Sequence, residues 1–418
     1  MSTQTKDVLR LATIGSVDDG KSTLIGRLLV DTRQLFDDQL DAVAAASERR
    51  GVGDLDLSFV TDGLRAEREQ GITIDVAYRY AATPTRKFII ADCPGHVQYT
   101  RNMATGASTA DLALAVVDVA AGLKEQTHRH LCIAALLGVR NLIVAVNKMD
   151  KVEWSQEAFQ EVSDQVHSVS QELGFASCEV IPVSALNGDN VVDRTSASSW
   201  YSGPSVLEAL ETTHAGDPET NSHGARLPIQ WVLRQNGGGR TYAGMVNGGT
   251  FHVGDTVTLL PAGIETAISA LRLGGSERSE AYAGLSADID LAAETDAGRG
   301  DMIACTPLPT VTKEFDATIC WFGEKPMSAG QRLRLKHTTK STPARVVSLD
   351  GLVDIEHLTV ASADGLSVNQ IGIAKIACAD ALVVDDYQVN RATGSFVLVD
   401  EVSNATVAAG MIGRPSFL

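Results

Sequence analysis

One eight-residue stretch constrains this chain more than any other: Gly15-Ser16-Val17-Asp18-Asp19-Gly20-Lys21-Ser22 fits GxxxxGK[ST]. It directly follows the apolar run Leu9–Ile14, which reads as a strand. Leu24, Ile25, Leu28 and Leu29 come next at helical spacing. Strand, glycine-rich turn and helix in that order are the context in which the pattern carries meaning. Glycines let the backbone curl so that successive N–H groups converge on phosphate oxygens. The helix N-terminus adds a favourable dipole. Lys21 supplies a full positive charge, and the Ser22 hydroxyl suits Mg²⁺, a hard cation that prefers oxygen.

A phosphate cradle alone does not choose between bases. Asn147-Lys148-Met149-Asp150 does, and it lies at the end of the apolar run Leu142–Val146, about 125 residues after the cradle. Open α/β sheets bind ligands at the carboxyl ends of their strands. The Asp150 carboxylate only accepts hydrogen bonds. Guanine offers it two adjacent donors, whereas adenine presents an acceptor at the ring position. Lys148 can lie over the base, and Ser184-Ala185-Leu186, after another apolar run, is placed to back it. The expected GTP contacts are therefore Gly15, Val17, Asp18, Asp19, Gly20, Lys21, Ser22, Thr23, Gly95, Asn147, Lys148, Asp150, Ser184, Ala185 and Leu186.

Two further segments read as switches. Asp92-Cys93-Pro94-Gly95-His96 follows the run Phe88–Ala91. Asp92 would hold Mg²⁺ through a coordinated water, and the Gly95 N–H would bond the γ-phosphate, making the loop sensitive to that phosphate. His96 is the candidate to orient the attacking water. Phosphoryl transfer needs positioning and charge stabilisation more than covalent help. Elsewhere a lone histidine is usually a surface or capping residue; directly after DxPG it is a catalytic candidate. Arg68-Glu69-Gln70-Gly71-Ile72-Thr73-Ile74-Asp75 supplies the second switch, with Thr73 a Mg²⁺ ligand only while GTP is bound. Alone, Thr73 reads as an ordinary strand threonine. The metal set is thus Ser22, Thr73 and Asp92.

The runs Leu112–Val119 and Val180–Val183 complete a set of buried strands separated by helical stretches, which indicates a mostly parallel sheet with helices on both faces. The pattern changes near residue 187. Asn187–Ser202 is rich in Asn, Asp, Ser and Thr, Ser205–Thr212 reads as a helix, and Thr213–Ala225 reads as a linker. Short strands with glycine-rich turns follow, among them Ile229–Arg234, Thr241–Asn247, Thr256–Leu260 and Ala267–Leu273. A second break falls near Pro307–Thr312. The expected fold is an α/β P-loop GTPase domain at 1–215 followed by two small β-barrel domains at 224–310 and 311–418.

Composition narrows the function. The net charge of −17 over 418 residues argues against a general nucleic-acid binder, which needs a basic stripe. Six cysteines with no CxxC pair suggest neither a zinc ribbon nor a redox pair, and read as buried free thiols in a reducing compartment. Met1–Asp7 is polar and no run approaches the ~18 apolar residues of a membrane span, so no signal peptide and no membrane are expected, and the cytoplasm is.

Taken together, GxVDxGKST, EREQGITID, DCPGH, NKMD and SAL resemble the translation-factor GTPases. Within that superfamily the chain is most similar to the large, GTPase subunits of bacterial sulfate adenylyltransferase. The VDDGKST form of Val17–Thr23 carries this, with the stretch Tyr78-Arg79-Tyr80, Arg86–Asp92 and Gln98–Ser108. The resemblance implies a G domain followed by two barrels, a partner small subunit that adenylylates sulfate, and GTP hydrolysis that drives that step. It also implies that Val17 and Ile72 form the hydrophobic flank of the catalytic His96. Cys93 departs from the threonine of many members, and is expected only to pack. An elongation-factor-type carrier of aminoacyl-tRNA and a regulatory or scaffold GTPase with another partner are the competing readings. No SGGxDS-like loop and no HxGH motif occurs, so no site for splitting ATP between its α- and β-phosphates is evident. With a single P-loop, a fused adenylylsulfate kinase is not expected.

Overall fold

The computed structural model describes residues 8–34, 75–96, 99–214, 223–234, 239–355, 357–415 and 417, without the side chains of Thr100 and Arg101. The chain divides into two compact units, Met1–Gly216 and Asp217–Ser416.

The first unit is built on a six-stranded sheet. Its strands are β1 (Val8–Ile14), β2 (Ala77–Ala82), β3 (Lys87–Asp92), β4 (Leu112–Asp118), β5 (Asn141–Asn147) and β6 (Ser177–Pro182), in the order β2-β3-β1-β4-β5-β6. All neighbours are parallel except β2, which runs antiparallel to β3 at the edge. Parallel strands covered on both faces need unbroken apolar runs. Accordingly, Leu112–Val117 is buried throughout. The edge strand β2 alternates half-buried and exposed residues, with Tyr78 and Tyr80 facing outward.

Among the described residues the α-helices of this unit are α1 (Lys21–Asp31), α2 (Thr100–Ala107), α3 (Glu125–Leu136), α4 (Gln156–Glu172) and α5 (Val206–Thr212). Helix α1 turns Leu24, Ile25, Leu28 and Leu29 into the core formed with Leu9, Leu11 and Ile90. Burying each such side chain contributes roughly 1.5–3 kcal/mol. Helix α5 starts on a capping box: Ser205 Oγ accepts from Glu208 N at 3.2 Å, while Ser205 N donates to Glu208 Oε2 at 2.8 Å.

The second unit holds two antiparallel barrels. In the first, strands Arg226–Pro228, Met302–Ala304, Thr256–Leu260, Ile264–Leu273, Ser286–Leu291 and Arg240–Met245 are neighbours in that order. The ring closes where Arg226 and Asn247 exchange two backbone hydrogen bonds, at 3.1 and 2.7 Å. Leu227, Tyr242, Phe251 and Ile289 fill it. In the second barrel, Arg332–His337, Ser395–Val399, Thr406–Ile412, Thr310–Trp321, Ile371–Val384 and Lys340–Asp354 form a ring that closes back on Arg332–His337. Trp321, Leu335, Ile376 and Phe396 lie inside. Closure removes the free edges that invite aggregation.

The two barrels share a small apolar cluster of Leu260, Met302, Ala304 and Val383. They also share a buried ion pair. Arg226 Nε lies 3.2 Å from Asp385 Oδ2, and its other nitrogens donate to the carbonyls of Gly224, Cys305 and Pro307 at 2.9, 2.8 and 2.6 Å.

Some expected boundaries shift. Ile229 and Gln230 stand outside the strand that begins at Trp231, because Ile229 N reaches across to Asp301 O instead. Ala225 is buried and its carbonyl accepts from Cys305 N, so it belongs to the barrel and not to a linker. All six cysteines are free, but Cys178 and Cys305 are only half-buried.

Candidate functional site

At the carboxyl ends of β1, β3 and β5 an open cleft of ≈ 370 Å³ is lined by Val17, Asp18, Gly20, Lys21, Ser22, Thr23, Gly95, His96, Asn147, Lys148, Asp150, Lys151, Ala185 and Leu186. The loop between β1 and α1 can be this tight only with glycine at two places. Gly15 sits at φ +140°, where a Cβ would come 2.5 Å from Val116 O. Gly20 sits at φ +98°, and a Cβ there would collide with the Asn147 side-chain amide.

Lys21 folds back under this loop. Its Nζ donates to Gly15 O at 3.0 Å and to Ser16 O at 2.8 Å, and the residue is 8% exposed. Burial holds its pKa below the ordinary lysine value, and the carboxylates of Asp92 and Asp19 pull it back up. A Cβ on Gly95 would stand 2.5 Å from Lys21 Nζ, so the loop after β3 closes directly over the ammonium. Asp92 is fully buried and accepts from Thr13 Oγ1 at 3.1 Å, its register partner across β1 and β3. His96 is exposed on the cleft wall, its ring edge-on to Tyr99 at 6.2 Å between centroids. Cys93 is buried, and burial pushes its thiol well above the usual range, consistent with a packing role.

The other end of the cleft is a hydrogen-bonded frame. Asn147 Nδ2 donates to Asp19 O at 2.8 Å, and Asn147 Oδ1 accepts from Ala185 N at 2.9 Å. Lys148 Nζ donates to Asp18 O at 2.6 Å and pairs with Asp118 at 2.7 Å. Burial alone would raise the Asp118 carboxyl; the hydrogen bonds from Lys148 and Ala120 N and the charges of Lys148 and Lys124 together outweigh it and hold the group below the usual range. Ser184 Oγ donates to Asp150 Oδ1 at 2.7 Å. One carboxylate oxygen is thereby anchored, and Asp150 keeps acceptor capacity for two donors in the cleft.

The expected residues therefore converge, but not all on the cleft surface. Gly15, Asp19, Asp92 and Ser184 lie behind it and hold the lining residues in place. Thr73 and Ile72 lie outside the described residues. A buttress from α3 and the loop before it carries no motif in the sequence. Lys124 pairs with Asp19 at 2.7 Å, Thr127 Oγ1 meets Ser16 Oγ at 3.0 Å, and Gly15 N donates to His130 Nδ1 at 3.4 Å. Burial and the nearby Lys21 charge lower the His130 pKa to about 3, so it accepts that bond as a neutral ring. Asp118 and Lys151 also join the site without a motif of their own. The one signal for Asp118 is its place at the carboxyl end of an apolar run, beside the one that ends in Asn147.

Comparison with known families decides what this arrangement belongs to. Residues 6–216, just over half of the chain, match the family of the elongation factor Tu GTP binding domain. The chain belongs to the elongation factor Tu family of GTPases. Residues 314–413 of this GTPase match the GTP-eEF1A C-terminal domain-like family, in line with the barrels. The bifunctional enzyme CysN/CysC of Mycobacterium tuberculosis, in strains CDC 1551 and H37Rv, is 48% identical over 415 residues. That alignment covers 97% of this GTPase and 67% of the relative. The bifunctional enzyme NodQ of Rhizobium sp. strain BR816 is 46% identical over 413 residues, covering 98% of this GTPase and 65% of the relative. The chain thus spans about two thirds of the length of these relatives. Among the described residues no helix is long and apolar enough to cross a membrane.

Proposed function

We propose that this GTPase is the large subunit of a sulfate adenylyltransferase and works in the cytoplasm. A small partner subunit joins ATP and sulfate into adenylylsulfate and diphosphate, and GTP hydrolysis here drives that step. The observation that carries the reading is the cleft. It gathers a phosphate cradle, a guanine frame and a γ-phosphate loop in a chain nearly half identical to the CysN/CysC enzymes, with no evident site for splitting ATP. Nucleotide chemistry falls to residues 1–215, and the barrels at 224–310 and 311–418 are left to hold the partner.

Gly20, Lys21, Ser22 and Thr23 cradle the phosphates, with the loop amides from Val17 to Asp19. Asn147, Lys148 and Asp150 read guanine, backed by Ser184, Ala185 and Leu186. An oxygen-only donor set at the phosphate end fits Mg²⁺: the Ser22 hydroxyl stands on the cleft wall, and the buried Asp92 is near enough to Lys21 to act on its charge. Thr73 is the third donor. When bound, the ion neutralises charge on the phosphate oxygens. The Gly95 N–H meets the γ-phosphate, and Val17 and Ile72 flank His96, which orients the attacking water. His96→Ala should lower GTP turnover by ~10²-fold or more while GDP affinity stays nearly unchanged, because its ring reaches the water and not the nucleotide. Phosphate release under single-turnover conditions reads this, and a wild-type rate with the partner present would assign the water to another residue.

The mixed anhydride of sulfate and AMP is strongly uphill. A downhill hydrolysis offsets it only if the two reactions are obligatorily linked through a two-state element. The purified chain should show slow GTPase activity and no adenylylsulfate synthesis, and addition of the small subunit with ATP and sulfate should raise both rates together. Equal synthesis with and without GTP would sink the coupling. Retention of charged tRNA with no affinity for the small subunit would install the translation-factor reading instead.

A further inference from the structure

The strand Arg332–His337 alternates cation and apolar residue: Arg332, Leu333, Arg334, Leu335, Lys336. Leu333 and Leu335 point into the second barrel, at 2% and 0% exposure. The period of two therefore sets Arg332, Arg334 and Lys336 in one row on the outer face, each about 6.6–6.8 Å from the next. The neighbouring strand extends the row, because Arg345 is the register partner of Arg332. Directly opposed residues stand about 4.5–5.5 Å apart, and like charges placed so are destabilising.

Elsewhere on this barrel, two exposed cations sit among carboxylates. Lys375 lies 3.8 Å from Glu314 and 3.6 Å from Asp316, and Arg414 lies 2.6 Å from Asp350. On the ridge only Arg334 has an acid, Glu401 at 2.9 Å. Arg332, Lys336 and Arg345 are exposed, and among the described residues no carboxylate pairs with them. In a chain with 52 acidic and 35 basic residues, these three cations gather on one face of two paired strands, and two of them are directly opposed arginines.

We propose that this ridge docks an acidic surface of the small adenylylating subunit; the identity of that partner rests on the function proposed above. The cations Arg332, Lys336 and Arg345 are exposed, so a small anion bound to them would stay in water. A nucleic acid fits less well: three free cations neutralise few phosphates, and the net charge of −17 repels a polyanion at longer range. Carboxylates on a folded partner match the guanidinium fork pairwise and relieve the Arg332–Arg345 repulsion.

The test measures binding of the purified small subunit to the full chain at several salt concentrations. The double variant Arg332→Glu/Arg345→Glu should weaken binding by about 10-fold or more, mostly through slower association, and flatten the salt dependence. Arg332→Ala/Arg345→Ala should move both in the same direction by less. GDP affinity should stay unchanged in both, and neither should lower the thermal midpoint, since the side chains are exposed, repel one another as arginines and are remote in sequence from the cleft. If the unaltered chain binds the small subunit and the reversed one binds equally well with the same salt slope, the ridge proposal fails while the function stands. If the unaltered chain does not bind the small subunit at all, both fail. Loss of RNA retention in filter binding, or of self-association in sedimentation, with small-subunit affinity intact, would reassign the ridge and overturn the proposal.

Discussion

Asp150→Asn should convert the cleft from guanine to xanthine preference. Asp150 is anchored by Ser184, whose hydroxyl donates to one carboxylate oxygen at 2.7 Å, so the group meets the base already oriented. A carboxylate accepts from both guanine donors. An asparagine keeps one acceptor for the ring N–H but presents its own NH₂ to guanine's exocyclic amine, leaving donor facing donor. Losing a charge-assisted pair and creating that mismatch should cost about 2–4 kcal/mol of GTP affinity, roughly 30- to 1,000-fold. Xanthosine triphosphate presents a carbonyl where guanine has its amine, so its affinity should rise. The Ser184 hydroxyl can still donate to the asparagine oxygen, so the frame should survive the change. Nucleotide titrations of both proteins with GTP and xanthosine triphosphate would check this. Equal GTP affinity in mutant and parent would remove Asp150 from the guanine contacts.

The parts of this site that were legible in the sequence are those whose chemistry is local. Gly15 and Gly20 are demanded by their own φ values and by backbone and side-chain atoms that leave no room for a Cβ. Asp150 announces itself by residue type at the end of an apolar run. The strands β1, β3, β4 and β5 were readable because a sheet covered on both faces needs continuous apolar residues. What was hidden is whatever depends on register between distant segments. Nothing in the spacing of Lys124, Thr127 and His130 says that one helix and its approach will grip Gly15, Ser16 and Asp19. Those contacts span more than 100 residues of sequence. The edge strand β2 is hard to read from sequence for a related reason: half-exposed, with tyrosines outward, it lacks the apolar run that marks its neighbours. The closure of the first barrel through Arg226 and Asn247 is likewise a pairing that no local pattern encodes.

Lys21→Ala should abolish useful nucleotide binding, by on the order of 10³-fold for both GTP and GDP, about 4 kcal/mol at 1.4 kcal/mol per decade. The ammonium is held under the loop by two carbonyls at 3.0 and 2.8 Å, and Gly95 leaves it no space to swing away. It therefore meets the phosphates pre-oriented, with little side-chain entropy left to lose. Among the described residues it is also the one cation beside the buried Asp92 and Asp19 that faces the cleft, since Lys124 reaches Asp19 from the α3 side. Without it, incoming phosphates meet two carboxylates with less compensation. Lys21→Met separates charge from packing, because it keeps most of the volume. It should lose nearly as much affinity as the alanine variant while retaining the thermal midpoint. Lys21→Arg should not rescue binding: a planar fork is too wide for a position where even a Cβ on Gly95 would clash. In the presence of the small subunit, ATP and sulfate, either neutral variant should lose GTP-stimulated adenylylsulfate synthesis altogether. Near-normal GDP affinity in Lys21→Met would mean that the loop amides, and not the buried ammonium, carry the phosphate binding.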